Sequence, residues 1–144
     1  MSYWDTSALV KLSVAEADSA QFVALAGTSA RIVTATIARF ESRTVFRRLE
    51  AEGFLTSGEA AALSADLERD VVSARVIELG MGADVEREFM MVLERCFSET
   101  PPVFIRTNDA LHLASAKIAG EVDFVTADVR QRAAALLLGF NVLP

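Results

Sequence analysis

Short apolar runs alternate with longer stretches in which apolar side chains return every three or four residues, the two periods that separate strands from helices. Residues 1–4 form an apolar run ending at Asp5, which predicts a strand, and Thr6 to Leu12 then predicts a short helix. Ser13-Val-Ala-Glu16 has the S-x-x-E spacing of a capping box and predicts a helix from there to about Gly27. The β-branched run Ala30 to Thr34 predicts the second strand. Over Thr36 to Glu52, the residues Ile37, Phe40, Thr44, Val45 and Leu49 fall at helical spacing, and Gly53 supplies the stop. Thr56-Ser-Gly-Glu59 repeats the capping-box spacing and opens a helix to about Val72. Arg75 to Leu79 predicts a strand, Gly80 and Gly82 bracket a turn, and Ala83 to Ser98 predicts a helix closed by Thr100-Pro101-Pro102. The remaining pattern predicts a helix from Thr107, its cap, to Ala119, with Gly120 as stop. It continues with a strand over Val122 to Thr126, a helix over Val129 to Leu138 and a strand over Phe140 to Leu143.

Helices that alternate with short apolar strands predict an α/β fold, a mostly parallel sheet covered by helices on both faces. No repeat, linker or shift of composition divides the chain, so 1–144 reads as a single domain.

Composition narrows the chemistry. The 144 residues are 52% hydrophobic and 24% charged, a balance that supports a buried core and excludes a disordered chain. The single cysteine, Cys96, excludes an intrachain disulfide and a multi-cysteine zinc site. The single histidine, His112, removes the histidine pairs that most zinc hydrolases use. With 14 basic and 20 acidic residues the net charge is −6, which disfavours nucleic-acid binding by bulk electrostatics. An enzyme that meets phosphates through metal ions and a local basic stripe remains open. Met1-Ser2-Tyr3-Trp4-Asp5 lacks the basic and apolar regions of a signal peptide. The longest apolar stretch, Ala133 to Leu138, falls far short of the roughly 20 residues of a membrane span. A cytoplasmic location away from membranes is the expectation.

Four acidic residues occupy unusual places. Asp5 directly follows one predicted strand and Asp128 closely follows another, and each precedes a helix. Ligands of open parallel sheets bind at the C-terminal strand edge, so both carboxylates are expected to face one crevice. Each also has the simpler reading of a helix N-cap. Glu41 lies on or near the apolar face of its helix, and Asp109 one turn before Leu113 in an alanine-rich segment. A carboxylate beside a buried face is costly unless it is paired or bound to a metal. Simpler readings exist here too: a pairing of Glu41 with Arg43 or Arg31, and Asp109 as a first-turn acid favoured by the helix dipole. Taken together, four oxygen donors without a Cys/His cluster point to a hard divalent cation, Mg²⁺ or Mn²⁺. Their like charges are expected to repel and to raise at least one carboxylate pKa.

The local strings sharpen this reading. Tyr3-Trp-Asp-Thr-Ser-Ala-Leu-Val-Lys-Leu12 closely resembles the opening of PIN-domain proteins. Ala38-Arg-Phe-Glu41, Asn108-Asp-Ala-Leu-His-Leu-Ala-Ser-Ala116 and Phe124-Val-Thr-Ala-Asp128 follow in that family's order and spacing. The short form and the D-T-S-A-L-V-K-L opening look most like VapC-type toxins of toxin–antitoxin pairs. The resemblance implies a three-layer α/β/α fold and an Mg²⁺- or Mn²⁺-dependent endoribonuclease. Asp5, Glu41, Asp109 and Asp128 match the family's acidic positions, and Thr6 and Thr126 match hydroxyl positions that support its site. The resemblance further implies an RNA substrate, a cognate antitoxin and a homodimer.

Arg39, Arg43 and Arg47 recur every four residues on the Glu41 helix, with Arg48 adjacent. They read either as a stripe that guides RNA phosphates or as a solvated face paired with neighbouring acids. His112 is close enough in sequence to Asp109 for a structural role or a hydrogen bond near the site. Cys96 reads as a packed thiol and Ser7 as a local hydrogen-bonding residue. Two alternatives accompany the nuclease reading: a catalytically silent PIN-fold interaction module, and a receiver-like phospho-accepting domain. The latter lacks a late lysine, since only Lys11 and Lys117 are present.

Overall fold

The computed structural model describes residues 1–144. Five short strands, β1 (Ser2–Trp4), β2 (Ile32–Ala35), β3 (Val76–Leu79), β4 (Asp123–Val125) and β5 (Asn141–Leu143), form one sheet in the order β3-β2-β1-β4-β5. The pattern predicted a mostly parallel sheet, and every pairing is in fact parallel. Parallel neighbours need long crossovers, and helices supply them. They are α1 (Thr6–Ser13), α2 (Ser19–Thr28), α3 (Ile37–Ala51), α4 (Glu59–Val72), α5 (Ala83–Phe97), α6 (Thr107–Ile118) and α7 (Val129–Leu137).

The alternation of side chains along each strand sorts the core into two layers. Tyr3, Val33 and Phe124 point to one side, where they pack with Val92 and Cys96 of α5, Leu113 of α6 and Ala134 of α7. Trp4, Ile32 and Val125 point to the other, against Leu9 of α1, Phe22 of α2 and Ala38 of α3. A smaller cluster of Val10, Phe46 and Ala60 holds α1, α3 and α4 together. The result is a three-layer α/β/α fold. Phe46 is core, whereas Phe54 is exposed and Leu55 half-buried.

Helix ends follow the expected chemistry in some places and depart from it in others. Gly53 and Gly120 adopt positive φ of 81° and 70°, and each donates its N–H to a carbonyl three residues back, closing α3 and α6. The Ser13–Glu16 capping box does not form. Ser13 still belongs to α1, Val14 donates to the Val10 carbonyl, and the Glu16 carboxylate pairs with Lys11 instead. The second helix therefore begins at Ser19, whose hydroxyl accepts from the Glu16 N–H and donates to the Val14 carbonyl, both at 2.9 Å. At the start of α6 the cap is Arg106 rather than Thr107, because Arg106 is the last residue in extended conformation.

The order of the strands positions the site. The chain runs outward from β1 through β2 to β3, then returns to the other side of β1 with β4 and β5. The C-terminal ends of β1 and β4 flank this reversal, where doubly wound sheets leave a crevice for ligands. Receiver-like domains use the order 2-1-3-4-5. That alternative is excluded by topology.

Candidate active site

The N–H of Asp5, just past β1, donates to the Val125 carbonyl of β4 at 3.1 Å, so the two strand ends are tied together at the reversal. Asp5 is only 1% exposed. Its carboxylate accepts from the Ala8 N–H at 2.9 Å, the Ser7 hydroxyl at 2.8 Å and the Thr126 hydroxyl at 2.5 Å. Asp128 caps α7 with one oxygen, accepting from the Arg130 N–H at 2.8 Å. The Thr126 hydroxyl also accepts from the Asp128 N–H at 3.0 Å, so one threonine links both strand-end aspartates. Both aspartates are helix caps, and both line the same cavity of about 370 Å³. Cap and site are compatible, because the N-terminus of each helix points at that cavity.

Glu41 and Asp109 reach the cavity from helices on opposite sides of the sheet. Glu41, on α3, accepts from the Thr6 hydroxyl and from the Asn108 amide at 2.8 Å, and lies 2.9 Å from His112 Nε2. His112 itself is 2% exposed, with Nδ1 2.8 Å from the Tyr3 hydroxyl. The imidazole thus bridges the Tyr3 hydroxyl on one strand and the Glu41 carboxylate on α3 through its two ring nitrogens. Glu41 does not pair with Arg43 or Arg31. Asp109, 4% exposed at the third position of α6, accepts the Arg106 backbone N–H at 3.1 Å.

The fourth wall is Arg106, to which the sequence pattern assigned no role. Its guanidinium donates Nε to Asp109 Oδ2 at 2.9 Å and Nη2 to Asp109 Oδ1 at 3.1 Å. The same Nη2 donates to Asp128 Oδ2 at 2.8 Å. As the side chains stand, no three acidic or imidazole groups are close enough to hold one ion. Arg106 occupies the space between two of them.

The electrostatics follow these partners. Burial pushes the Asp5 carboxyl up from its ordinary range, against the opposing pull of His112, Thr126, Ala8 and Ser7. The rise has desolvation as its cause, not the like-charge repulsion expected from the sequence. Glu41 is also penalised by burial, but hydrogen bonds from His112, Thr6 and Asn108 outweigh that and hold it at about 2. The hydrogen bonds and charge of Asp109, with Asp128 and Glu41 adding to them, raise the Arg106 guanidinium above its usual value. Arg106 is a permanent cation here.

The arginine stripe on α3 is occupied by acids. Arg39 lies 3.3 Å from Glu78, Arg43 pairs with Glu68, and Arg47 lies 3.1 Å from Glu50. None of the three lines the cavity, whereas their neighbour Arg48 does, together with Lys11. Asn108, Ser7, Arg106 and Gln131 are among the polar residues at the cavity that the sequence pattern does not single out as site residues. The side-chain spacing of Arg106 and Asp109, three residues apart across a helix start, is the signal that pairs them. Cys96 is buried in the core, away from this cavity.

The sequence matches the PIN domain family over residues 2–137, and the chain belongs to that family. No protein of curated function matches it by sequence. Among solved structures it is similar to VapC20 of Mycobacterium tuberculosis, a sarcin–ricin loop cleaving toxin. The TM-score is 0.70 at 20% identity, over 93% of this chain and 95% of that one. It is also similar to FitAB bound to the IR36 DNA fragment, with a TM-score of 0.72 at 16% identity over 99% of this chain and 94% of that one. FitAcB from Neisseria gonorrhoeae gives a TM-score of 0.65 at 17% identity, over 100% of this chain and 97% of that one.

Proposed function

We propose that this chain is a divalent-metal-dependent endoribonuclease, the toxin of a toxin–antitoxin pair, acting as a single domain over 1–144. The observation that carries the reading is the meeting of Asp5, Glu41, Asp109 and Asp128, from four separate segments, in one cavity of a PIN-family chain. The donor set is all carboxylate and hydroxyl oxygen, which suits Mg²⁺ or Mn²⁺. A cationic group already sits between Asp109 and Asp128, so the pocket demands positive charge there. The residues fit the metal.

Asp5, Asp109 and Asp128 would hold the ion directly or through water, with Thr126 fixing the orientation of Asp5. A hard divalent cation so placed offsets charge on a phosphodiester and makes bound water a better nucleophile. Glu41, held near pKa 2, is a weak proton acceptor and a strong hydrogen-bond acceptor. Its role is to orient an attacking water, while Thr6, Asn108 and His112 keep its carboxylate in place. Arg48 on the cavity wall, only loosely held by Glu52 at 4.0 Å, supplies positive charge toward the RNA backbone, whereas Lys11 is paired with Glu16 and Asp18. Arg39, Arg43 and Arg47 act as a paired surface. A cognate antitoxin, a homodimer and a cytoplasmic location complete the reading. No helix is long and apolar enough to cross a membrane.

The same arginine that marks the need for a cation also favours a second reading, a silent PIN scaffold whose acids are permanently neutralised. Incubation of purified chain with structured RNA, with Mg²⁺ or with chelator, separates the two. The nuclease reading expects cleavage that is lost with chelator and restored by Mg²⁺ or Mn²⁺. Metal-independent cleavage, or none on any RNA tested, refutes it.

A further inference from the structure

Two of the four site acids depend on Arg106. Asp5 and Glu41 are satisfied by hydroxyls, amides and His112. Both oxygens of Asp109, by contrast, are taken by Arg106, and so is the Asp128 oxygen that does not cap α7. Asp109 is buried, and a buried carboxylate stripped of its partners is costly, so whatever displaces Arg106 must replace its hydrogen bonds and charge. The Arg106 side chain is nevertheless 58% exposed, so it can leave without unpacking the core. A cation bound to Asp109 and Asp128 needs the oxygens that Arg106 now holds.

We infer that Arg106 is an exchangeable internal counter-cation. Its guanidinium neutralises Asp109 and Asp128 in the metal-free chain, and a divalent cation binds there only as Arg106 swings out to the cavity mouth. The inference rests on the metal reading above. Three consequences follow from the geometry. Metal-free protein keeps its site acids paired and ordered. Metal affinity is reduced in proportion to the time the guanidinium spends inside, since only the open state binds. The released guanidinium, a planar fork suited to phosphate oxygens, arrives at the mouth when the site is loaded.

The test is calorimetric titration of Mg²⁺ into metal-stripped full-length wild type, Arg106→Gln and Arg106→Lys, with the folds checked by circular dichroism. If Arg106 is inside about nine-tenths of the time, removing it tightens Mg²⁺ binding about tenfold. Arg106→Lys, a point charge without the fork, falls between the two. In wild type, the Arg106 Nε–H resonance is protected from water without metal and loses protection as Mg²⁺ is added. Equal affinities, or weaker binding by Arg106→Gln, overturn the exchange while leaving a metal site intact. A resonance unchanged by saturating Mg²⁺ does the same. Absence of Mg²⁺ binding by every variant defeats the metal reading, and this inference with it.

Discussion

Replacing Asp5 by Asn separates the helix cap that this residue forms from the catalytic role proposed for its carboxylate. The substitution is nearly isosteric. The oxygen that accepts from the Ala8 N–H and the Ser7 hydroxyl can be kept, so the cap on α1 survives. The second oxygen, to which the Thr126 hydroxyl donates at 2.5 Å in the wild type, becomes an NH₂ that cannot accept, so that charge-assisted bond is lost. A hydrogen bond to a charged acceptor contributes about 1.5–3 kcal/mol. Removing a fully buried charge, whose pKa burial has raised, offsets much of this. The net change in stability at neutral pH is expected within about 1 kcal/mol of zero, or roughly 3–4 °C in melting temperature. Loss of one preorganised charge at the reaction centre is typically 10²–10³ in rate, about 2.7–4 kcal/mol. The expected result is therefore an RNA-cleavage rate lower by about two to three orders of magnitude in a chain that melts near wild type.

The same variant carries a pH signature. A carboxyl whose folded pKa is raised above its unfolded value of 3.8 contributes stability that is fully present below that value. The contribution is lost as pH rises through the folded pKa. Asparagine has no such dependence, so the stability of wild type minus that of Asp5→Asn must fall between acid and neutral pH. Thermal melts across that range, beside single-turnover cleavage assays with Mg²⁺, check both parts. Cleavage within threefold of wild type would show Asp5 to be a cap and nothing more. A stability difference that grows with pH would refute the burial argument.

Other outcomes are as definite. Glu41→Gln should carry the opposite pH sign: the stability of the Glu41 carboxylate is present above 4.5 and lost as pH falls through about 2, so urea melts of the two proteins should converge in that window. Mg²⁺ at ten times its Kd should stabilise wild type by about 1.4 kcal/mol through mass action, and Asp109→Asn far less at the same concentration. Equal shifts in a melting assay would remove Asp109 from the site. Ala74, whose φ of 58° is left-handed, should gain roughly 0.5–1 kcal/mol on replacement by Gly, read as a higher melting temperature with unchanged cleavage.

The alternation of periods, the glycine stops and the strand-end acids are local properties, and local chemistry made them legible. Strands followed by helices, without hairpin turns, already specify parallel pairing, because only crossovers can return a chain to the same sheet edge. The spacing of Asp5 after β1 and Asp128 after β4 places both at strand ends, whatever the order of the sheet. Helix beginnings were less legible, since an S-x-x-E string competes with whatever else can reach its glutamate. At Glu16 the competitor is Lys11, an ion pair across a turn that pattern alone does not reveal.

Tertiary structure decided everything that depends on two segments meeting. It brought β1 beside β4, and so turned two separate caps into neighbours sharing Thr126. It assigned His112, buried among Tyr3, Thr6 and Glu41, to positioning a carboxylate on another helix. It gave the α3 arginines acidic partners on β3, α4 and α3 itself, a matter of which faces pack. Charge balance in the site was decided there too. Four carboxylates are visible in the sequence, but the cation that neutralises two of them reaches Asp128 across 22 positions of chain. Sequence spacing reports periodicity, which backbone geometry imposes locally; the energy of a buried charge depends on distances in space, and these exist only once the chain has folded.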